Sequence, residues 1–389
     1  MKKIPWRALA AASIVAAGFC FVVAVYFVGL TDKNAADRDY IGYWAAGQQL
    51  AHGANPYDSA ATLQLERAVG YMGDRPRLTP SPPVALLMVL PLGYFSAKNG
   101  LILWLVLQIA CLSISIWILW LLHGRPPTRL HLFGYLFAPV IACLMAGQLG
   151  IFFLLGIVLF LYLHKSWPMF AGAALVPCVL KPHLFMPFAI ALIIWIVFQK
   201  AFRILAGFVV FLAANSAVAP CFDRRVWSHY TQMISNSEIQ GRFTPTLSLS
   251  FRFLIDRYAL WLQYVPLAVG CLWAVWYFYS RRNRFDWMDQ GLLLLLVSVL
   301  CAPYSWFTDE SVVLPAVLAA LYRAVESKRS VLPIAAFAAT ALIELFAGLG
   351  ITDRYFLWTA PAWLAWYLYA TWDKSAHATD ISRNGMTPS

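Results

Sequence analysis

The stretch from Gly100 to Leu122 reads GLILWLVLQIACLSISIWILWLL and contains no charged residue. About 20 apolar residues in a helix are enough to cross the roughly 30 Å hydrocarbon core of a bilayer. Apolar runs of this kind recur along the chain, and thirteen segments are candidates for membrane helices. They lie at 8–30, 83–96, 100–122, 131–146, 149–163, 168–180, 183–198, 201–219, 259–279, 287–302, 310–322, 331–349 and 355–372.

The composition of the 389-residue chain agrees with this pattern. Hydrophobic residues make up 61% and charged residues 12%, and the mean hydropathy is +0.67. Soluble domains carry about 25% charged residues, so this composition excludes a soluble enzyme, a disordered chain and a disulfide-stapled secreted module. Barrel strands are about 10 residues long and alternate in polarity, unlike these runs. We therefore predict an all-α polytopic membrane protein of about 12 transmembrane helices (11 to 13).

The distribution of basic residues predicts the orientation of the chain. Of the 29 Lys and Arg residues, sixteen lie in short connectors, whereas the long loops 31–82 and 220–258 carry five each. Basic residues in short loops mark the cytoplasmic side. We predict two periplasmic loops, 31–82 and 220–258, within a single transmembrane domain over 1–372, and a cytoplasmic tail over 373–389. The net charge of +11 is explained in this way, and no nucleic-acid-binding module is legible.

The number of crossings leaves two alternatives open. Thirteen crossings cannot place both chain ends inside. Segment 83–96 is short and has prolines near its start, so it can be a partial insertion, which leaves twelve spans. Alternatively, the connector 123–130 lies outside and another short segment does not span.

The first periplasmic loop contains the candidate catalytic residues Asp39 and Asp37. A carboxylate at a membrane edge can act as a general base, taking a proton from a hydroxyl. The structural alternatives are a helix N-cap and a solvated charge. A short amphipathic helix is expected to follow over Tyr40–Leu50, with Tyr43 and Trp44 spaced to lie against a membrane face.

Three basic residues are candidates for binding a phosphate. Lys181 interrupts about 30 otherwise apolar residues, and ionisable groups at that depth are costly and often functional. A snorkelling lysine at a helix end is the structural alternative. His183 follows two residues later, and its two alternatives are to assist in binding a phosphate or merely to stack on another ring. Arg252 lies in the second long loop among aromatic residues, where an interfacial aromatic belt is the alternative.

The chain lacks the common motifs for cofactors and metals. It contains no GxxxxGK[ST], no HExxH and no GxSxG sequence. Its seven cysteines include no CxxC pair, so no disulfide framework or zinc site follows. Asp37 and Asp39 alone are a weak metal signature. We therefore expect neither a metal nor a cofactor.

Short motifs spread over 37–310 resemble glycosyltransferase family 87. The residues that carry the resemblance are Asp39-Tyr40, Tyr43-Trp44, Ala46-Gly47, Gly53, Pro56-Tyr57-Asp58, Pro82-Pro83, Pro91-Leu92, Gly147-Gln148, Ala171-Gly172, Lys181-Pro182 and Pro303-Tyr304-Ser305-Trp306. The chain departs from the family pattern at Thr308-Asp309, where a His is common. That departure puts any His-dependent role of this element in doubt.

The resemblance implies a C-type glycosyltransferase fold and an inverting, hexosyl-transferring enzyme, with a polyprenyl-phosphate sugar as donor. The family's mannosyltransferases suggest mannose. Carried over by position, the general base is Asp39, with Asp37 as the fallback. The donor phosphate is assigned first to Lys181, then to Arg252 and His183. The residues expected to shape the sugar and acceptor pocket are Tyr43, Tyr57, Gln148, Trp306 and Asp309.

The implied partners are the donor, a lipid or glycan acceptor and membrane lipids, and no nucleic acid. The implied location is the bacterial inner membrane, crossed many times, with the active site facing the periplasm. Two other classes of function remain open. A transporter or flippase of lipid-linked saccharides would use the same outer cavity, and a non-catalytic scaffold of envelope assembly would need no base.

Overall fold

The computed structural model describes residues 30–236, 244, 246–327, 334, 338 and 356–371. All regular structure within these ranges is helical, and no strand occurs in them. This confirms the prediction of an all-α protein. The first predicted helix (8–30), nearly all of segment 331–349 and the tail 373–389 lie outside the described residues.

The described helices follow the apolar runs of the sequence closely. The α-helices are α1 (Asp32–Ala36), α2 (Tyr40–Ala51), α3 (Ser59–Ala68), α4 (Leu86–Val89), α5 (Ala97–Leu122), α6 (Ala138–Ala146), α7 (Gly150–Leu163), α8 (Pro168–Ala174), α9 (Met186–Phe198), α10 (Phe202–Val218), α11 (Val226–Ser235), α12 (Leu247–Ile255), α13 (Val265–Arg281), α14 (Gln290–Leu300), α15 (Leu314–Glu326) and α16 (Thr359–Thr371). Short 3₁₀ helices join them at Pro83–Ala85, Leu90–Tyr94, Leu130–Tyr135, Val176–Leu180, Pro182–Leu184, Ala219–Cys221, Leu260–Tyr264, Arg282–Arg284 and Phe307–Val313.

Three continuous helical stretches in the described part of the chain are long and apolar enough to cross a membrane. They are Ala97–Leu122, Phe202–Cys221 and Leu260–Arg284. Shorter apolar helices of 10–17 residues occupy Pro83–Tyr94, Gly150–Leu163, Pro168–Leu180, Met186–Phe198 and Gln290–Leu300. These helices support the membrane character of the protein, and the number of about twelve crossings stays a prediction.

Segment 83–96, whose crossing was uncertain from the sequence, forms a short and interrupted helix. It runs over Pro83–Tyr94 as a 3₁₀ turn, the single turn α4 and a second 3₁₀ turn. At a rise of about 1.5 Å per residue its length is about 18 Å, well short of the roughly 30 Å needed. This length favours the alternative of a partial insertion.

The chain divides into two compact units. The first comprises Met1–Val106 and Ala219–Met233, and the second comprises Leu107–Val218 and Ile234–Ser389. The three boundaries fall inside α5, at the end of α10 and inside α11. Each unit is described below by itself.

Helix α2 forms the core of the first unit. Tyr43 and Trp44 are each 5% exposed, and the Tyr43 ring stacks on Trp104 with 5.7 Å between centroids. A Cβ on Gly47 would lie 2.3 Å from the carbonyl oxygen of Val89, so only glycine allows this approach. The expectation that these aromatic residues face the membrane is wrong, because they pack inside the unit.

In the second unit, glycines bring α8 and α10 into backbone contact. A Cβ on Gly172 would lie 1.9 Å from the Ile204 carbonyl oxygen, and one on Gly207 would lie 1.9 Å from that of Met169. Small residues of this kind permit the close helix approach common in membrane proteins. The two glycines therefore fix the distance between α8 and α10.

We expect Gly207→Val to lower the melting temperature in detergent clearly, because the new side chain must push the two helices apart. Overpacking of this kind costs about 1–3 kcal/mol. The matched control is Ala206→Val, at the preceding exposed position of α10. Equal melting temperatures for the two variants would contradict the described helix contact.

Candidate functional site

Asp39 precedes α2 and is held by an arginine. It occupies the N-cap position of α2, but its side chain makes no capping hydrogen bond. Instead, Nη1 of Arg77 donates to Asp39 Oδ1 at 3.0 Å. The side chains of Asp39 and Arg77 are 49% and 31% exposed. The carboxylate is therefore accessible and does not serve as the helix cap that sequence reasoning offered as its alternative role.

A second carboxylate holds the backbone of Arg77. Glu66, on α3, is fully buried, and both of its carboxylate oxygens accept the Arg77 backbone N–H, at 3.0 and 3.2 Å. Burial raises the pKa of Glu66 to about 7, against the opposing effects of the Arg77 N–H group and the Arg77 charge. Sequence reasoning identified neither residue, because 38 positions separate Asp39 from Arg77 and no local motif links them.

The other predicted site residues of the first unit have different environments. Asp37 is exposed at the C-terminal end of α1. Tyr57 is buried, and its hydroxyl donates to the Ser81 carbonyl oxygen at 2.9 Å. Burial is the main cause that raises the pKa of Tyr57, and the nearby Tyr230 and Asp223 raise it further. The hydroxyl therefore keeps its proton. Tyr43 is buried against Trp104 as described above.

Lys181 and Asp309 form a buried ion pair in the second unit. Lys181 Nζ lies 2.6 Å from Asp309 Oδ1 and 2.9 Å from Oδ2. The Asp309 side chain is 1% exposed and that of Lys181 is 20% exposed. The Trp306 backbone N–H also donates to Asp309 Oδ2, at 3.0 Å. Lys181 is therefore paired with a carboxylate inside the unit, and Asp309 is its partner.

The position of Lys181 follows from the local sequence. It lies between the 3₁₀ helices Val176–Leu180 and Pro182–Leu184, where the chain cannot continue as an α-helix. Pro182 follows it directly, and the residue before a proline is disfavoured in the α conformation. The break turns the Lys181 side chain out of the helical path and toward Asp309.

His183 packs on the segment that precedes Asp309, and Arg252 is linked to that segment through Gln263. Arg252 is 4% exposed and donates from Nη1 to Gln263 Oε1 at 2.8 Å. Gln263 in turn donates to the Pro303 carbonyl oxygen at 2.6 Å. The His183 ring lies 3.8 Å from the ring of Tyr304 between centroids. The Nε atom of Arg252 is buried and has no hydrogen-bond partner among the residues that the structure describes.

Gln148 and Trp306 are both partly exposed. Gln148 follows Gly147, which ends α6 in the left-handed conformation at φ 71°. The Gln148 carbonyl oxygen accepts from Gln108 Nε2 at 2.5 Å. The Gln148 backbone thus binds the Gln108 side chain, and the Trp306 backbone helps to hold the Asp309 carboxylate.

The second unit brings several of the predicted residues to one segment, 303–309. Lys181 and the Trp306 backbone meet at Asp309, His183 packs on Tyr304, and Arg252 reaches Pro303 through Gln263. Asp39 and Tyr57 belong to the first unit. Within the described ranges, no three His, Cys, Asp or Glu side chains gather in a way that could hold a metal ion.

These features define a class of protein before any comparison. The described part of the chain is helical, contains three helical stretches long and apolar enough to cross a bilayer, and carries charged side chains at helix breaks and in a long loop. The family model described as glycosyltransferase family 87 matches residues 81–303, which is more than half of the chain. The protein belongs to this family and is a membrane glycosyltransferase.

The matched region includes the predicted phosphate-binding residues Lys181, His183 and Arg252. It begins after Asp39 and ends before Asp309. No curated protein and no solved structure matches the chain.

The raised pKa of Glu66 makes the stability of the protein depend on pH. A buried acid whose pKa is higher in the folded state stabilises the fold fully below its unfolded pKa of about 4.5, and this contribution is lost as the pH rises through about 7. The change is at most about 3 kcal/mol. We therefore expect the melting temperature of Glu66→Gln, measured relative to that of the wild type, to rise between about pH 5 and pH 8, because only the wild type loses this contribution. A constant difference across that range would contradict the role of Glu66.

We expect Lys181→Met to destabilise the protein by about 3–5 kcal/mol, because it leaves the buried carboxylate of Asp309 unpaired. The double variant Lys181→Met/Asp309→Asn should recover part of the loss in melting temperature. The matched control is Lys165→Met, since Lys165 is 73% exposed and pairs with Asp286 at 3.3 Å. Exposed pairs contribute about 0–1 kcal/mol. Equal losses for Lys181→Met and Lys165→Met would refute the buried pair.

Proposed function

We propose that this protein transfers a hexosyl group, mannosyl in the first instance, from a polyprenyl-phosphate-linked sugar to a lipid or glycan acceptor. The transfer takes place at the periplasmic face of the bacterial inner membrane. The observation that carries the proposal, beyond the family, is the carboxylate of Asp39. It is half-exposed, it is not used to cap α2, and a neighbouring guanidinium holds it.

The proposed reaction follows from the chemistry of a single displacement. The acceptor hydroxyl oxygen attacks the anomeric carbon from the side opposite the phosphate, and Asp39 takes the hydroxyl proton. The bond between the anomeric carbon and the phosphate oxygen breaks, and its electron pair leaves on the polyprenyl phosphate. One displacement inverts the anomeric configuration. Asp37 is the fallback for the base, and it is exposed at the C-terminal end of α1.

The leaving phosphate gains charge, and fixed cations stabilise it. Lys181 and Arg252 are the proposed cations, in that order, and His183 is the third proposed phosphate-binding residue. Lys181 shares its charge with Asp309, whereas Arg252 has no carboxylate at ion-pair distance among the residues described. Within the described residues the buried Nε of Arg252 has no hydrogen-bond partner, and an unpartnered buried donor is costly. This orphaned donor supports Arg252, beside Lys181, as a cation for the leaving phosphate.

The residues proposed for the sugar and the acceptor are, in the second unit, Asp309 and the partly exposed Gln148 and Trp306, and, in the first unit, Tyr43 and Tyr57. Aromatic faces and hydrogen-bonding groups are the usual components of sugar sites. Tyr57, Tyr43 and Asp309 are buried, so the proposal assigns them to the support of the pocket walls.

We expect the purified protein in nanodiscs to transfer mannose from radiolabelled polyprenyl-phosphate mannose to a lipid extract of the host. Loss of a general base typically costs about 10²–10⁴-fold, so Asp39→Asn should lower turnover by at least about 10²-fold while donor binding remains. Asp37→Asn is the matched control, two residues away, and should transfer at a rate near that of the wild type.

The outcomes separate the classes of function. Loss of transfer in Asp37→Asn and not in Asp39→Asn would move the base to Asp37. If mannose fails, donors with glucose, arabinose and galactose test the sugar. If the wild-type protein transfers sugar from none of these donors, the proposed transfer reaction is refuted and a transporter of lipid-linked saccharides is favoured.

A further inference from the structure

The extended stretch that leads to Pro82 is held against the rest of the first unit at several points. Glu66 binds the backbone N–H of Arg77 with both carboxylate oxygens. A Cβ on Gly42 would lie 1.9 Å from the Arg77 carbonyl oxygen, so α2 touches the backbone at this residue. At Ser81, four residues after Arg77, the backbone carbonyl oxygen accepts a hydrogen bond from the Tyr57 hydroxyl. The backbone at Arg77 therefore has both its N–H and its carbonyl group in close contact with neighbouring helices.

The side chain of Arg77 extends from this fixed backbone to the start of α2. Its Nη1 lies 3.0 Å from Asp39 Oδ1, and its guanidinium lies over the Tyr71 ring at 5.3 Å from the centroid. The guanidinium is therefore bounded by a carboxylate on one side and an aromatic ring on another. Both contacts restrict the rotamers open to a long side chain.

Stability alone does not account for this arrangement. An ion pair between partly exposed side chains contributes little to the free energy of unfolding. Its support includes Glu66, a fully buried carboxyl whose charged form is penalised by burial, and Gly42, which loses more backbone entropy on folding than other residues. Departures of this kind from the rules of a stable fold are expected at functional sites.

The geometry controls the direction of the Asp39 carboxylate. The group is planar, so a donor fixed on Oδ1 also sets the direction of Oδ2. Proton transfer to a carboxylate requires the accepting oxygen within hydrogen-bond reach of the hydroxyl. A displacement of about 1 Å in such a group can lower the rate about 10²-fold.

We propose that Arg77 is a positioning residue that orients the Asp39 carboxylate toward the acceptor hydroxyl. The inference rests on the proposed function, because it requires Asp39 to be the base. Arg77 acts through Asp39 and does not itself accept a proton. Glu66 and Gly42 hold the backbone from which Arg77 reaches it.

The test uses the full-length protein and the donor for which the wild type shows transfer. Arg77→Met should lower kcat by about 10- to 100-fold and change KM by less than about twofold. Arg77→Lys keeps a cation at this position and should restore part of the loss. The matched control is Arg67→Met, because Arg67 is an exposed arginine of the same loop that lies 3.9 Å from Asp74. It should transfer at the wild-type rate.

A double variant distinguishes positioning from a general structural role. If Arg77 acts only through Asp39, Asp39→Asn/Arg77→Met should have the same residual turnover as Asp39→Asn alone. Multiplied losses in the double variant would overturn the inference and assign Arg77 to the fold.

The failures of the two proposals differ. An inactive Asp39→Asn together with wild-type kcat in Arg77→Met overturns the inference on Arg77 and leaves the proposed base intact. A fully active Asp39→Asn, or a wild-type protein that transfers no sugar, overturns the proposed function and the role of Arg77 with it.

Discussion

The second unit depends on two adjacent carboxylates buried in one 3₁₀ helix, Phe307–Val313. Asp309 is neutralised by Lys181, and Glu310 accepts hydrogen bonds from Thr359 Oγ1 at 2.5 Å and Trp363 Nε1 at 2.9 Å. Both are almost completely buried. In an apolar unit such groups are costly unless every one is satisfied, so they specify a single arrangement of the helices that carry their partners. Because leaving either carboxylate without its partners is costly, these contacts fix the conformation of the chain around 303–313.

Much of the fold was predictable because a bilayer leaves few choices. Backbone groups in hydrocarbon must be satisfied within the segment, so long apolar runs become helices, and those described lie at the predicted positions. The unusual character of Lys181 was also legible, since a lysine among about 30 apolar residues needs a reason. Asp39 was singled out from its place in the longest loop. None of these inferences required knowledge of tertiary contacts.

The partners of these residues were not predictable. Lys181 and Asp309 are 128 positions apart, and neither local sequence contains a pattern that predicts the other residue as its partner. Arg77 lies in a stretch without periodicity, so its contact with Asp39 has no signature. The interruptions at 3₁₀ turns were missed in part, because an apolar run with a proline looks continuous in composition. The burial of Tyr43 and Trp44 was missed because a helix that packs on protein and one that packs on lipid are equally apolar.

The hydrogen bonds of Glu310 tie α16 to the segment that carries Asp309. The region matched by the family model ends at residue 303, before both carboxylates and before α16. A fragment cut to that region would keep Lys181 but lose Asp309, so a cation selected for a buried environment would have no counter-charge. A fragment that kept Asp309 and Glu310 but lacked α16 would leave Glu310 without its two donors. The smallest piece of this unit in which both carboxylates keep these partners therefore extends at least to Trp363, well past the end of the region matched by the family model.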